Sequence, residues 1–266
     1  VDEGKTFLQV PFPDGYINED TGFDLFLQTL KAGSINPDQI AGVLTESYQG
    51  GGANFLPADY AQKLEEFCRK HDIVSIYDEV QAGFGRTGKM FTFQHYGVSP
   101  DLIVCGKGIS SSLPLAAVVG RSRIMDLYPP GSMTSTHSAS PLPAAAALAS
   151  LRLIREEKLV ENAERLGHLL CPELQALQAR YPDRIGRVNC RGLVAGVQIV
   201  RPGTKEGDPE AALRLTEICF QKGVLMCAPV GSAGHCLKIA PPLTITREAL
   251  GESLSVLQEA CAQLFG

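Results

Sequence analysis

The chain has 266 residues, 44% of them hydrophobic, and a formal net charge of −5. That is ordinary globular composition, long enough for one large domain or two modest ones. The mildly acidic balance gives no electrostatic reason for a nucleic-acid or membrane partner, and no apolar run reaches the roughly eighteen residues that a spanning helix needs.

The opening stretch Val1-Asp2-Glu3-Gly4-Lys5 lacks signal-peptide character, and it lacks an initiator Met, which suggests a missing N-terminal part. In chain order, Ile40–Thr45 reads as a buried strand, Asp59–His71 as an amphipathic helix, Ile73–Tyr77 and Leu102–Cys105 as strands, and Leu115–Val119 as a fourth strand. Short apolar runs separated by helical stretches argue for an α/β fold, a mainly parallel sheet with helices on both faces. The pattern changes near Pro141. Ala144–Ala179 is rich in helix formers, with Leu148, Leu151, Leu159, Leu166 and Leu170 forming a stripe. Strands are expected at Gly192–Val200, Val224–Ala228 and Cys236–Ala240, with helices near Glu210–Gln221 and over Arg247–Leu264, the last capped by Thr246. The division expected is a partial large domain over residues 1–142 and a smaller α+β domain over 143–266.

The eight cysteines (68, 105, 171, 190, 219, 227, 236 and 261) include no C-x-x-C pair, and most sit in apolar runs. They read as buried free thiols in a reducing compartment, so the expected location is cytoplasmic. The five histidines have no metal-ligand spacing, and no metal site is expected.

Gly83-Phe-Gly85-Arg-Thr-Gly88 spells a dinucleotide fingerprint and nearly a phosphate-binding Walker loop. The Walker reading fails at Met90, where Ser or Thr should reach magnesium. The dinucleotide reading fails because β-prone Met90-Phe-Thr-Phe follows the third glycine instead of a helix. The segment reads as a flexible glycine-rich turn.

Asp78 and Glu79 end a hydrophobic strand, and Lys107 stands just after the next one. Ligands of open α/β sheets sit at such strand tips. Taken singly, these are an acid pair and a loop lysine of a kind found on any surface. Together they supply an amine to carry an aldehyde coenzyme and a carboxylate to keep a pyridine nitrogen protonated.

The ordered blocks Asp78-Glu79-Val80-Gln81-Ala-Gly-Phe-Gly-Arg86-Thr-Gly88 and Pro100-Asp-Leu-Ile-Val-Cys-Gly-Lys107 resemble the signature of the class III (ω-) aminotransferases, which depend on pyridoxal 5'-phosphate (PLP) and share fold type I. Thr136, 29 residues after Lys107, lies in Ser135-Thr-His-Ser-Ala-Ser140-Pro141, similar to the family's T-F-G-G-N-P motif with Ser140 in place of Asn. Arg191-Gly192-Leu193 and Ile239-Ala-Pro-Pro-Leu243 extend the resemblance to nearly the whole chain.

The resemblance implies that Lys107 is the Schiff-base and proton-shuttling lysine, Asp78 the partner of the ring nitrogen, Val80 a residue packed on the ring, and Gln81 a hydrogen-bonder of the ring hydroxyl. It implies that Thr136 reaches the coenzyme phosphate of a neighbouring subunit, hence a homodimer, and that Arg86 is structural. It places Glu46 and Lys238 at the substrate. Lys238 stands where the family has a carboxylate-binding arginine, and Gly51 where many members have a second glutamate; lysine keeps the charge and loses the two-pronged grip. The implied activity is transfer of an amino group from an amino acid or ω-amine to a 2-oxo acid. Racemases, epimerases and decarboxylases of the same fold stay open, as does a truncated chain that only dimerises. The family's phosphate-binding N-terminal loop is not recognisable, so the chain reads as the C-terminal part of a longer enzyme.

Overall fold

The computed structural model describes residues 7–266, so the opening stretch Val1–Lys5 lies outside the described residues. Its first unit is a four-stranded sheet, in order β1 (Gly42–Glu46), β4 (Val74–Asp78), β5 (Leu102–Cys105) and β6 (Ala117–Gly120). β1, β4 and β5 run parallel, and β6 closes the row antiparallel. The hairpin β2 (Tyr48–Gln49) and β3 (Asn54–Phe55) leaves the tip of β1.

Side chains alternate across a strand. Ser75 and Tyr77 of β4 are buried, and Tyr77 joins a core with Tyr60 and Leu64 of helix α2 (Ala58–Lys70) and with Phe26 and Leu30 of α1 (Asp24–Ala32). The alternate positions Leu44, Ile76, Leu102 and Asp78 project from the opposite face, and Leu44 is 64% exposed. The expectation of a buried first strand is therefore corrected: β1 is covered on one side only.

A short helix, α3 (Ser122–Met125), and an exposed irregular segment lead to α4 (Pro141–Glu156), which packs Ala147 and Ile154 on Phe84, Cys105 and Ile109. Lys158, in the left-handed region at φ 52°, separates α4 from α5 (Leu159–Arg180), so the long helix-forming stretch is two helices. The second unit is an antiparallel sheet of β7 (Ile185–Arg191), β8 (Val194–Ile199) and β9 (Cys236–Ile239). It is packed by α5, α6 (Pro209–Gln221) and α7 (Arg247–Phe265) around Leu166, Leu170, Leu215, Leu237 and Leu254. Thr246 caps α7 through the amide of Ala249, as its residue type foretold.

Three further expectations change. Val224–Ala228 forms no strand; Leu225 is 82% exposed and the segment enters no ladder. Apolar content alone cannot make a strand where no neighbour offers a hydrogen-bonding edge. Cys171 and Cys190 form a disulfide between α5 and β7, so the cysteines are not all free thiols. The glycine-rich turn is packed rather than flexible. Phe84, Gly85, Thr87 and Gly88 are buried, and Arg86 donates to the carbonyls of Leu193 (3.1 Å) and Pro241 (2.5 Å). Arg86 thereby ties the turn to the second unit. Among the described residues no helix is long and apolar enough to cross a membrane.

Candidate active site

The site begins with the parallel register. Glu46 pairs in register with Asp78, and Asp78 with Val104, so β1, β4 and β5 end at one level. Beyond β5 the chain turns through Gly106 into a short 3-10 segment, Lys107–Ile109. Lys107 takes a positive φ of 39° and is exposed. That is an uncommon backbone state for a residue with a side chain, and such states collect at functional positions. Gly106 has the reason for its missing side chain beside it: a Cβ there would stand 3.1 Å from Val80 Cγ1. Val80 is thus packed on the segment that presents Lys107.

The Asp78 carboxylate is half-buried and accepts the Val80 amide at 2.8 Å, which fixes its orientation. Glu79 has a different role from its neighbour. It is fully buried, accepting the Ser47 hydroxyl and the amides of Phe93 (2.9 Å) and Thr92 (2.9 Å). It anchors the 3-10 turn Thr92–Tyr96 behind the sheet and does not line the site.

The β2–β3 hairpin forms the opposite wall. Glu46 accepts the Gly50 amide at 3.1 Å, and Lys238 Nζ donates to the Gly50 carbonyl at 2.7 Å while lying 4.8 Å above the Tyr48 ring. Glu46 is exposed, yet desolvation on its inner side, with Asp78 beside it, holds its carboxyl above the ordinary range; Lys238 and Lys107 pull the other way. Burial lowers the Lys238 ammonium to about 8. The Gln81 amide packs on Gly50, where a Cβ would meet Gln81 Nε2 at 3.1 Å. Tyr48 donates its hydroxyl to the Gln81 carbonyl at 3.0 Å. A side chain at Gly51 would meet Gly231 Cα at 3.3 Å, so the second glutamate that many family members carry has little room here.

Asp78, Lys107 and Lys238 therefore all lie within electrostatic reach of Glu46 at the strand tips, with Val80 and Gln81 packed beside them. Thr136 does not join them. It lies in the exposed segment 134–139, whose local hydrogen bonds run between Ser135 and Ser138. Sequence reasoning missed Tyr48, whose hydroxyl fixes the Gln81 backbone and whose ring lies under Lys238. A separate open groove of about 510 Å³, lined by Met90, Leu151, Arg152 and Val160, lies away from this cluster and holds neither Asp78 nor Lys107.

Fold and site define a class: an α/β chain that places an amine and a carboxylate at adjacent strand tips. The model of the family described as "Aminotransferase class-III" matches residues 4–261. A 4-aminobutyrate aminotransferase of Mycobacterium leprae is 38% identical over 256 residues, covering 94% of this chain and 57% of the relative. An alanine/serine racemase of Pyrococcus horikoshii is 35% identical over 85% of this chain and 47% of its own length. Among solved structures, a transaminase from the marine bacterium Virgibacillus superposes with TM-score 0.83 at 30% identity, covering 94% of this chain and 58% of that one. The chain belongs to the class III aminotransferase family, and it spans a little under three fifths of the length of the 4-aminobutyrate aminotransferases it matches.

The family depends on PLP, and the residues present fit that group. Gln81 Oε1 is buried without a hydrogen-bond partner among the described residues, an orphaned polar atom on the wall of the site. Such atoms are rare in folded proteins and call for a partner.

Proposed function

We propose that the complete protein carrying this chain is a PLP-dependent transaminase, moving an amino group from an amino acid or ω-amine to a 2-oxo acid. The observation that carries this reading is the placement of Asp78 and Lys107 at the ends of the neighbouring parallel strands β4 and β5, with Glu46 and Lys238 facing the same space. Bound PLP supplies an electron sink for the carbanion that forms when the substrate Cα loses its proton. The chain's own residues do the rest. Asp78 keeps a negative charge where a ring nitrogen must stay protonated. Lys107 would hold the coenzyme through its amine and carry the proton at substrate Cα. Val80 and Gln81 hold the ring face and its hydroxyl. Glu46 and Lys238 orient the substrate, Lys238 as a point charge for a carboxylate.

Thr136 is assigned to the coenzyme phosphate of a second subunit, which makes the active protein a homodimer. Its exposure, clear of the residues around Lys107, suits contact with another chain. We place the protein in the cytoplasm on its five buried free thiols, against which the Cys171–Cys190 disulfide is the one opposing feature.

The test adds PLP to the complete protein. A visible absorption band is expected, absent in Lys107→Ala. Substrate panels of 4-aminobutyrate, L-alanine and L-ornithine with pyruvate or 2-oxoglutarate then read keto-product formation. No band in wild type, or a band kept by Lys107→Ala, sinks the reading. The racemase relative favours a second reading, inversion at Cα by the same residues. It is recognised by D-amino acid appearing without consumption of any 2-oxo acid. Light scattering with and without the coenzyme tests the dimer.

A further inference from the structure

Asn189 stands on β7 in the second unit with only 8% of its surface exposed, yet its amide reaches across to the β2–β3 hairpin. Its Nδ2 donates to the Gly52 carbonyl at 3.2 Å and to Asn54 Oδ1 at 2.6 Å, and its Oδ1 accepts Arg187 Nε at 2.8 Å. Asn54 in turn donates to Gln49 Oε1 at 3.0 Å. The close approach has been made possible on the second unit's side: a Cβ on Gly196 would sit 2.2 Å from the Gly52 oxygen. A continuous chain of side-chain hydrogen bonds therefore runs from the Arg187 guanidinium through three amides, those of Asn189, Asn54 and Gln49. It ends one residue before Gly50, whose amide and carbonyl are held by Glu46 and Lys238 and whose open side receives Gln81.

A single amide bridging two units does more than add a hydrogen bond. A turn of the sequence Gln49-Gly-Gly-Gly52 has four successive residues of which three lack side chains, so it has few contacts of its own to define its path. Its position is set by what grips it from outside, and Asn189 is the buried side chain that hydrogen-bonds the turn directly, at the Gly52 carbonyl. We propose that Asn189 is a positioning residue, which fixes the Gln49–Gly52 turn and thereby the placement of Gln81 and Lys238 against coenzyme and substrate. The inference rests on the transaminase reading of the site and deepens it: precision of the strand-tip site depends on an amide contributed by the other unit. Misplacing a catalytic wall by a fraction of an ångström lowers rate without abolishing binding.

The test uses the complete holoenzyme. Asn189→Ala is expected to keep the visible coenzyme band but shift the pH titration of that band, because Gln81 loses its backing at Gly50. It is also expected to lower kcat/KM, for the donor that the substrate panel identifies, by about tenfold. Asn54→Ala removes the same bond from the hairpin side and should do likewise. The double variant should lose no more than the worse single one, as coupled partners do. A fall in melting temperature with wild-type band titration and wild-type kcat/KM overturns the proposal and leaves Asn189 as a structural bridge; fully additive losses overturn it as well. If Asn189→Ala does not fold, Asn54→Ala decides by the same two readouts. A wild-type protein without the band overturns the transaminase reading and this inference with it. A wild-type band with unresponsive variants overturns this inference alone.

Discussion

Glu46 and Asp78 are register partners on the adjacent parallel strands β1 and β4, so two carboxylates stand side by side on one face at the mouth of the site. Two like charges at that spacing are tolerable only with cations near, and Lys107 and Lys238 both lower the Glu46 carboxyl against the effects of burial and Asp78. The site is therefore a balanced set of two acids and two amines. Removing either amine should let the Glu46 carboxyl rise further above its ordinary range.

Lys238 makes this measurable. Its ammonium is depressed from 10.5 to about 8, by burial first and then by the nearby cations Arg86 and Lys107, while Cys236 and Glu46 pull upward. Between pH 8 and 10.5 the unfolded chain binds more protons at this residue than the folded one. Folding stability contributed by this residue therefore rises with pH across that window, and its charge penalty is fully present below pH 8. Lys238→Met removes the titration. The melting temperature of the variant relative to wild type should be most favourable near neutrality and decline as pH climbs above 8. A difference that stays flat with pH would show that the lysine is not desolvated.

Arg86 is expected to matter for stability even though it lies beside the site. Its Nη1 donates to both Leu193 and Pro241 carbonyls, the first in the turn before β8 and the second just after β9, and no carboxylate pairs with it among the described residues. Arg86→Ala leaves two acceptors without a donor, at a cost of about 2–4 kcal/mol. Arg86→Lys can satisfy one of them and should recover about half of that loss. Urea unfolding of the three proteins measures both.

Much of this was legible in the sequence. The parallel strands, Asp78 and Lys107 carry local signals: apolar runs bounded by acids, and a lysine after a strand. Alternation of Ser75 and Tyr77 inward with Asp78 outward follows directly from the pleat. Legibility ends where structure depends on distant partners. Nothing local in Gly83–Gly88 says that Arg86 will meet carbonyls more than a hundred residues away. Likewise Val224–Ala228 has strand composition but finds no edge, and Glu79, adjacent to Asp78 and equally acidic, turns inward because Ser47, Thr92 and Phe93 wait there. The cysteine pairing was misread for the same reason: Cys171 and Cys190 are 19 residues apart, and only the folding of α5 back onto β7 brings them together.

That disulfide is open to a direct experiment. It closes a loop between residues separated by 19 positions, for which chain-entropy arguments give a stabilisation of about 3 kcal/mol. Unfolding in the presence of dithiothreitol should occur at lower denaturant than without it. Cys190→Ser should match the reduced wild type and lose its sensitivity to reductant. Equal midpoints with and without reductant would mean that the two thiols remain unpaired in solution.

Gly192 stands at a tight backbone junction between the glycine turn and the second unit. It has φ +57°, and a Cβ there would lie 2.5 Å from the Thr87 carbonyl carbon and 2.7 Å from Thr87 Cα. From the other side, Gly167 of α5 presses against it: a Cβ on Gly167 would fall 2.7 Å from Gly192 Cα. Both obstacles are backbone and cannot move aside as a flexible side chain would. Gly192→Ala combines a strained left-handed conformation with a steric overlap, so the loss should exceed the roughly 1 kcal/mol typical of strain alone and reach about 3 kcal/mol or more. Gly203 has a similar φ of +69° with nothing within 4 Å of its Cβ position. Gly203→Ala is the matched control: it reports strain without overlap and should cost only about 1 kcal/mol. If the two variants unfold at the same denaturant concentration, the contact between the glycine turn and the second unit is looser than these distances require.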